Sequence, residues 1–221
     1  NNYKKLLISS SFMKLIDNNR FKYKNTAALG SPIQTNNYGK IVHEEVKFNT
    51  LYNINSYNKL QFHSWINFLD REVPQNLTTV NSDAKQYDKN YRFLLKSQHQ
   101  INKLKIVLKQ AFLKEDFRYT ELSKNIDSKF IINTSVTDLR LKYLYHKFSF
   151  NLNSSYNRHE VTNNNYLESN LIEDNSAIFS SINFIDKLIK TNISLRKEWN
   201  NNFNVPLLPS FAAEIKMSNY I

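Results

Sequence analysis

Hydrophobic and polar positions recur along this chain with two periods, one typical of helices and one typical of strands. Within residues 87–116, apolar residues follow one another at intervals of seven, three, four and three, at Leu94, Ile101, Leu104, Leu108 and Ala111. Side chains at such intervals share one face of an α-helix. The spacing predicts a long amphipathic helix over this window, and it is the strongest helical pattern in the sequence.

Three other segments have apolar residues near helical spacing. They are residues 3–16, 57–69 and 176–199. The last of them is preceded by Asp174 and Asn175, whose short polar side chains are suited to cap the first turn of a helix. We therefore expect a helix in each of these segments.

A period of two marks two other parts of the chain. Residues 40–48 place Val42, Val46 and Phe48 on one side of an extended segment. Within residues 129–153, apolar residues such as Phe148 and Phe150 alternate with Ser and Asn. Strict alternation is typical of a strand with one buried side. The sequence therefore predicts one strand in the first segment and two antiparallel strands in the second.

The remaining segments are predicted to be loops or extended tails. Residues 17–40 are polar and contain both glycines of the chain, residues 151–170 are rich in Asn and Ser, and residues 200–221 contain two prolines. Because glycine is so scarce, turns that need a positive φ must fall largely to Asn. The expected fold class is α+β, with long amphipathic helices packed on a small antiparallel sheet. We expect a single domain over 1–221, with an extended N-terminal loop region (17–40) and a C-terminal tail (200–221).

The formal net charge of +11 at pH 7 implies an anionic partner. The long helix would carry much of this charge along one side, and a basic helix can track the phosphates of an RNA groove. The candidate nucleic-acid-binding residues are Arg92, Lys96, Lys103, Lys105, Lys109 and Lys114. The competing interpretation is that these lysines merely keep an ordinary helix in solution.

Several kinds of chemistry lack the residues that they need. The chain has no cysteine, which excludes thiolate nucleophiles, disulfides and iron–sulfur clusters. Its two glycines cannot form a phosphate-cradling loop. His43 and Glu45 would share a face of a strand, but a solvated strand edge explains them more simply than a metal site. The sequence predicts no enzyme, no cofactor, no metal and no small-molecule substrate.

No stretch of 18 apolar residues is present, so the sequence predicts a soluble chain without a transmembrane segment. It begins at Asn1 rather than Met, which is compatible with a processed product or a segment of a split gene product. Asn, Lys, Ile, Phe, Tyr and Met, which have codons rich in A and T, supply nearly half of the residues. This skew indicates an AT-rich genome.

In composition, the whole chain resembles proteins encoded by AT-rich, protist-type mitochondrial genomes, although no motif matches a specific family. Such genomes commonly retain ribosomal proteins. The resemblance therefore implies a divergent mitochondrial ribosomal protein, a structural subunit of the matrix that contacts rRNA and neighbouring ribosomal proteins. The alternative is a soluble accessory subunit, or a segment, of a respiratory-chain or ATP synthase complex, bound to the other subunits of a large inner-membrane assembly.

Overall fold

The computed structural model describes residues 5–74, 83–165 and 170–216, and these residues are built almost entirely from β-strands. The strands are β1 (Leu6–Asp17), β2 (Phe21–Lys24), β3 (Ile33–Asn36), β4 (Ile41–Asn53), β5 (Lys59–Glu72), β6 (Lys85–Ile101), β7 (Leu104–Glu121), β8 (Ile126–Tyr145), β9 (Phe148–Asn163), β10 (Asn170–Ile185), β11 (Ile189–Asn200) and β12 (Leu208–Ile215). One 3₁₀ turn, Leu122–Lys124, is the sole helical element of the described residues. The expected α+β fold class is therefore wrong.

Ten of the strands form one antiparallel sheet in the order β1-β4-β5-β6-β7-β8-β9-β10-β11-β12. Each strand pairs with the next strand along the chain, except that β1 pairs with β4. The short strands β2 and β3 form a separate hairpin within the connection between β1 and β4. The sheet is thus a long meander of hairpins.

The long helix expected over residues 87–116 is a β-hairpin made by β6 and β7. Its turn is Asn102 and Lys103, and Asn102 adopts the positive φ of 51° that such a tight turn requires. The helical stripe fails because it mixes odd and even positions, which a strand sends to opposite sides. The alternation of Leu104, Ile106 and Leu108 with Lys105 and Lys109 is the stronger pattern once the turn is placed.

The three shorter helices are also wrong. The described part of residues 3–16 belongs to β1, residues 59–69 belong to β5, and residues 176–199 contain most of β10 and β11. The N-terminal residues 3 and 4 lie outside the described residues. Short apolar segments do not distinguish a helix from a strand by periodicity alone, and here inter-strand pairing decides between them.

The predicted strands are confirmed. Residues 40–48 fall largely in β4, and residues 129–153 contain β8 and the start of β9, which pair antiparallel with Leu141 opposite Leu152. The expected loop at 151–170 is wrong over residues 151–163, which belong to β9, and residues 166–169 lie outside the described residues. The expected tail contains β12, which pairs with β11, and its last five residues, 217–221, lie outside the described residues.

The connections differ at the two ends of the sheet. At one end, β4–β5, β6–β7, β8–β9 and β10–β11 are joined by two to five residues. At the other end, the connections contain four to 23 residues. We call these ends the short-turn end and the long-loop end.

No second layer covers the ten-stranded sheet within the described residues. Among them, Ala84 is the one hydrophobic residue that is fully buried. Domains in water normally bury the apolar side of a sheet against a helix layer or a second sheet. The exposure of the apolar side chains of this sheet therefore needs an explanation other than packing against a second layer.

Candidate functional site: the two faces of the sheet

The strand register determines which side chains share a face across all ten strands. Directly opposite residues project to the same side, and successive residues of one strand project to opposite sides. Phe62 lies opposite Leu95, and Phe93 lies opposite Phe112, which places these four side chains on one face. We call this the apolar face. The face that carries Lys96 and Lys109, which are also opposite one another, is the polar face.

Large side chains of the apolar face are exposed along the whole sheet. Phe12 on β1 and Phe211 on β12 are each 68% exposed, and Ile193 on β11 is 58% exposed. Others on the same face and also exposed are Ile8, Val46, Tyr52, Leu95, Leu108, Tyr143, Phe150, Leu152, Ile178, Ile182, Leu195 and Trp199. A contiguous apolar surface spanning ten strands is far larger than the few hundred Å² that soluble monomers normally expose.

This surface ends at a charged residue on most strands of the sheet. On the apolar face of β1 and of β4–β11, the positions nearest the short-turn end carry no Asp, Glu, Lys or Arg. In each of these strands the uncharged positions end at a first charged residue. Those first charged residues are Lys14, Glu44, Asp70, Lys89, Lys114, Lys129, Arg158, Asp174 and Lys197. On β12, the apolar-face positions of the strand include no charged residue. We call the uncharged region the apolar band.

On β7 and β9 the height of the apolar band matches the hydrocarbon core of a membrane. On β7 the band runs from Leu104 to Lys114, and on β9 from Phe148 to Arg158. Ten residues at about 3.3 Å each span roughly 33 Å along a strand. With the tilt of about 40° found in membrane barrels, this gives about 25 Å along the membrane normal, the height of their apolar belt.

Aromatic residues border the apolar band at both ends. At the short-turn end, Tyr143, Tyr145, Phe148 and Phe150 lie on β8 and β9, and the rings of Tyr143 and Phe150 are 6.4 Å apart. Near the charged boundary at the other end, the aromatic residues are Tyr91, Tyr156 and Trp199. Amphipathic aromatic rings are enriched at membrane–water interfaces. The band therefore has the bordering residues expected of a lipid-facing surface.

The polar face carries ion pairs and amide hydrogen bonds among its side chains, although some apolar residues such as Leu94 and Leu113 also lie on it. Arg92 Nη2 lies 3.0 Å from Glu115 Oε1, and Lys47 Nζ lies 2.6 Å from Glu45 Oε1. Asn49 Oδ1 lies 2.8 Å from the ring nitrogen Nδ1 of His63. The Arg92 and Asn49 contacts join neighbouring strands, and the Lys47 contact lies within β4. Such polar contacts suit a surface that faces water rather than hydrocarbon.

The candidate nucleic-acid-binding residues do not form one stripe. Arg92, Lys96, Lys105 and Lys109 lie on the polar face. Lys114 lies on the apolar face, just beyond the apolar band, and Lys103 lies in the β6–β7 turn with its ammonium 5.5 Å from the Tyr145 ring centroid. The sheet thus brings four of the six together and separates the other two.

The candidate metal ligands have other partners. His43 and Glu45 share the polar face, but the imidazole Nε2 of His43 contacts the amide of Asn67. Glu45 accepts a 2.6 Å hydrogen bond from the Trp65 indole and pairs with Lys47. In residues 5–74, 83–165 and 170–216, no three His, Asp or Glu side chains are grouped closely enough to hold a metal ion. None of the described helical residues form a helix long and apolar enough to cross a membrane.

A hydrogen-bonded link connects two segments at the long-loop end, outside the apolar band. Asp83, which precedes β6, accepts hydrogen bonds of 2.8 Å from both the hydroxyl and the backbone N–H of Ser123, in the turn after β7. These bonds, that of the hydroxyl first, hold the pKa of the Asp83 carboxyl below its usual value. The link therefore requires the ionised carboxylate.

Comparison with known proteins identifies the fold. No protein-family model matches the sequence, and no curated protein is similar to it in sequence. The outer membrane transporter YddB of Escherichia coli is similar in structure over 97% of this chain and 34% of its own, with a TM-score of 0.65 and 9% identity. The siderophore receptor PirA of Pseudomonas aeruginosa is similar over 82% of this chain and 32% of its own, with a TM-score of 0.63 and 10% identity.

The chain therefore spans about a third of the length of each of these proteins and shares their fold over that part. This finding overturns the predictions of a ribosomal subunit, of rRNA and ribosomal protein partners, and of a mitochondrial matrix location. It also overturns the alternative of a soluble respiratory-chain or ATP synthase subunit. Those predictions depended on composition and on a basic helix, and the basic residues lie on strands.

The sequence contained a signal for the two faces that helical spacing concealed. In β6, Tyr87, Lys89, Tyr91, Phe93 and Leu95 occupy one face, and the intervening residues are almost all polar. Similar alternation occurs in β7 from Leu104 to Lys109 and in β9 from Phe148 to Asn153. Testing every segment for a period of two, with Asn allowed as a turn residue, would have located the apolar face.

Proposed function

We propose that this chain forms part of the membrane-embedded wall of an outer-membrane transport protein. Its apolar face contacts lipid, and its polar face lines an aqueous interior. The observation that carries the proposal is the uncharged apolar band. Aromatic residues border it at both ends, and on β7 and β9 it has the height of a hydrocarbon core. The proposed role is structural and transport-related rather than enzymatic.

Backbone hydrogen bonding supports the same proposal. A β-sheet can lie in lipid only if its N–H and C=O groups pair between strands, and the ten strands pair continuously without a bulge. The outer edges of β1 and β12 pair with no other strand of the described residues. In a membrane these edges require partners, so the wall is closed by additional strands.

The lengths of the connections at the two ends of the sheet support one orientation of the sheet in the membrane. Outer-membrane barrels have short turns on the periplasmic side and longer loops on the outer side. Accordingly, the short-turn end faces the periplasm, and the long-loop end, with the β2–β3 hairpin, faces outward.

Because the chain has no cysteine, single-cysteine variants test the proposal directly. The variants are Leu108→Cys and Phe150→Cys on the apolar face, with their chain neighbours Lys109→Cys and Asn151→Cys on the polar face. The full chain is incorporated into lipid vesicles and treated with a membrane-impermeant maleimide. A fluorophore attached at the same positions is then exposed to a lipid carrying a quencher on its acyl chain.

We expect the polar-face cysteines to react with the maleimide and the apolar-face cysteines to be protected from it. The lipid-borne quencher should act on fluorophores at 108 and 150 and not on those at 109 and 151. Equal reactivity within each neighbouring pair, or quenching independent of face, would contradict a lipid-facing sheet.

A further inference from the structure

Five cationic side chains of the polar face surround one depression near the short-turn end. We call them the cationic cluster: Lys96 on β6, Lys105 and Lys109 on β7, and Arg140 and Lys142 on β8. The depression has a volume of about 330 Å³, and its lining includes the amide side chains of Gln98, Asn151 and Asn153. Cationic and amide groups thus converge on one space.

The register places like charges directly opposite one another in this cluster. Lys96 is opposite Lys109, and Lys105 is opposite Lys142. Directly opposite side chains have their Cβ atoms about 5 Å apart, and like charges in such pairs destabilise the sheet. Two of these pairs occur on three successive strands. The arrangement has a cost in stability that the fold alone does not explain.

The nearby carboxylate of Asp138 neutralises Arg140 alone and leaves the four lysines of the cluster without a carboxylate partner among the described residues. Asp138 lies opposite Lys109, but its carboxylate is bound by Arg140, with Nε 2.7 Å from Oδ1. No described carboxylate is within ion-pairing distance of the four lysine ammonium groups. By contrast, Arg92 and Lys47, elsewhere on the polar face, each have a carboxylate partner.

We propose that the cationic cluster binds a multivalent oxyanion of the phosphate class. A dianion placed between the two lysine pairs would replace repulsion with four attractive interactions, and charge-assisted hydrogen bonds of this kind are among the strongest in proteins. The amide N–H groups of Gln98 and Asn153 provide further donors. The inference rests on the proposed function, because the polar face must be the water-filled side of the wall. Such a site gives the water-filled side of the wall a preference for anions.

Titration of inorganic phosphate into the full chain, in a neutral maltoside detergent at low ionic strength, tests this site. The cluster variant Lys96→Gln/Lys109→Gln removes one opposed pair. The matched control, Lys89→Gln/Lys114→Gln, removes the same charge from the same two strands on the opposite face. We expect the Kd for phosphate, measured by calorimetry, to rise roughly tenfold or more in the cluster variant and less than about twofold in the control.

Two further measurements complete the test. The single variants Lys105→Gln and Lys142→Gln should each weaken phosphate binding, so that the result does not depend on the folding of one double variant. A short-chain phosphatidic acid is titrated in parallel. Tighter binding than that of free phosphate, with the same loss in the cluster variant, would assign the phosphate group to a lipid headgroup, whereas weaker binding would assign it to a soluble anion.

Undetectable phosphate binding by the unmodified chain, or an equal loss in the cluster variant and its control, would overturn the inference. The cysteine series separates this failure from failure of the proposed function. A face-dependent labelling pattern without phosphate binding would refute the anion site but not the proposed membrane wall. Phosphate binding without that labelling pattern would refute the proposed membrane wall.

Discussion

Lys96 and Lys109 lie directly opposite each other on the polar face, at positions where neither has an ion-pair partner among the described residues. Most other charges on this face are paired with a carboxylate across or along the strands. The repulsion between these two ammonium groups leads to a prediction about the stability of the ligand-free sheet.

Lys109→Gln should stabilise the sheet in the absence of an anion, because it removes one like-charge pair. Such pairs contribute roughly 0.2–1 kcal/mol, and the gain should shrink as salt screens the charges. Urea unfolding from detergent micelles at low and high salt measures the effect. Lys114→Gln, on the same strand and the opposite face, is the control, and an equal gain in that variant would refute a specific role for the opposed pair.

Leu94 and Leu95 are neighbours on β6 that face opposite sides, with Leu95 in the apolar band and Leu94 on the polar face. We expect Leu95→Arg to reduce insertion into lipid vesicles by about 2–4 kcal/mol, the cost of a cation near the middle of a bilayer. Leu94→Arg should be tolerated because its side chain reaches water. The inserted fraction after flotation measures both. Similar losses in the two variants would contradict a lipid contact that is confined to the apolar face of β6.

Asn102 supports the β6–β7 turn with a φ of 51°. A β-branched residue is strained in this region, so Asn102→Val should lower the free energy of unfolding by about 1–2 kcal/mol. Asn102→Gly should fold as well as the original chain, since glycine adopts this conformation without a side-chain clash. Refolding yield and urea midpoints measure the difference. Equal stability of the valine and glycine variants would mean that the turn does not need this conformation.

The link between Asp83 and Ser123 should depend on pH. The pKa of Asp83 is lowered in the folded chain, so the link stabilises the fold above the ordinary carboxyl pKa of about 3.9. That contribution is lost as the pH falls through the lower, folded-state pKa. The protection factor of the Ser123 amide, which is its intrinsic exchange rate at that pH divided by the observed rate, should therefore fall at acid pH, and in Asp83→Asn it should already be low at neutral pH. A protection factor at Ser123 that neither acid pH nor Asp83→Asn lowers would exclude the link.

Only part of the fold could be predicted from the sequence. The pair β8 and β9 was predictable because Phe148, Phe150 and Leu152 alternate strictly with polar residues over a short, uninterrupted run. The use of Asn at positive φ was predictable as well, and Asn19, Asn102 and Asn125 are three of the five non-glycine residues with that conformation among those described. The helix over residues 87–116 was wrong because a two-residue turn left no glycine or proline to mark it.

The candidate site was predicted in composition but not in arrangement. Lys96, Lys105 and Lys109 were predicted as nucleic-acid-binding residues, and they were placed on a helix with Lys114. On a strand, Lys114 follows Lys109 by five positions, and residues at an odd offset project to opposite faces. Arg140 and Lys142 were not included, because their proximity depends on the pairing of β7 with β8.

By itself, the sequence determined the chemistry that is possible and the alternation within single strands. Without cysteine and with two glycines, it excluded thiol chemistry and glycine-rich phosphate loops, and its alternating runs set apolar side chains against polar ones. The tertiary structure decided how these strands align. A shift of one residue in any pairing would move a whole strand's apolar side chains to the other face. The continuous apolar band and the opposed lysines therefore exist only in the register that the folded sheet adopts.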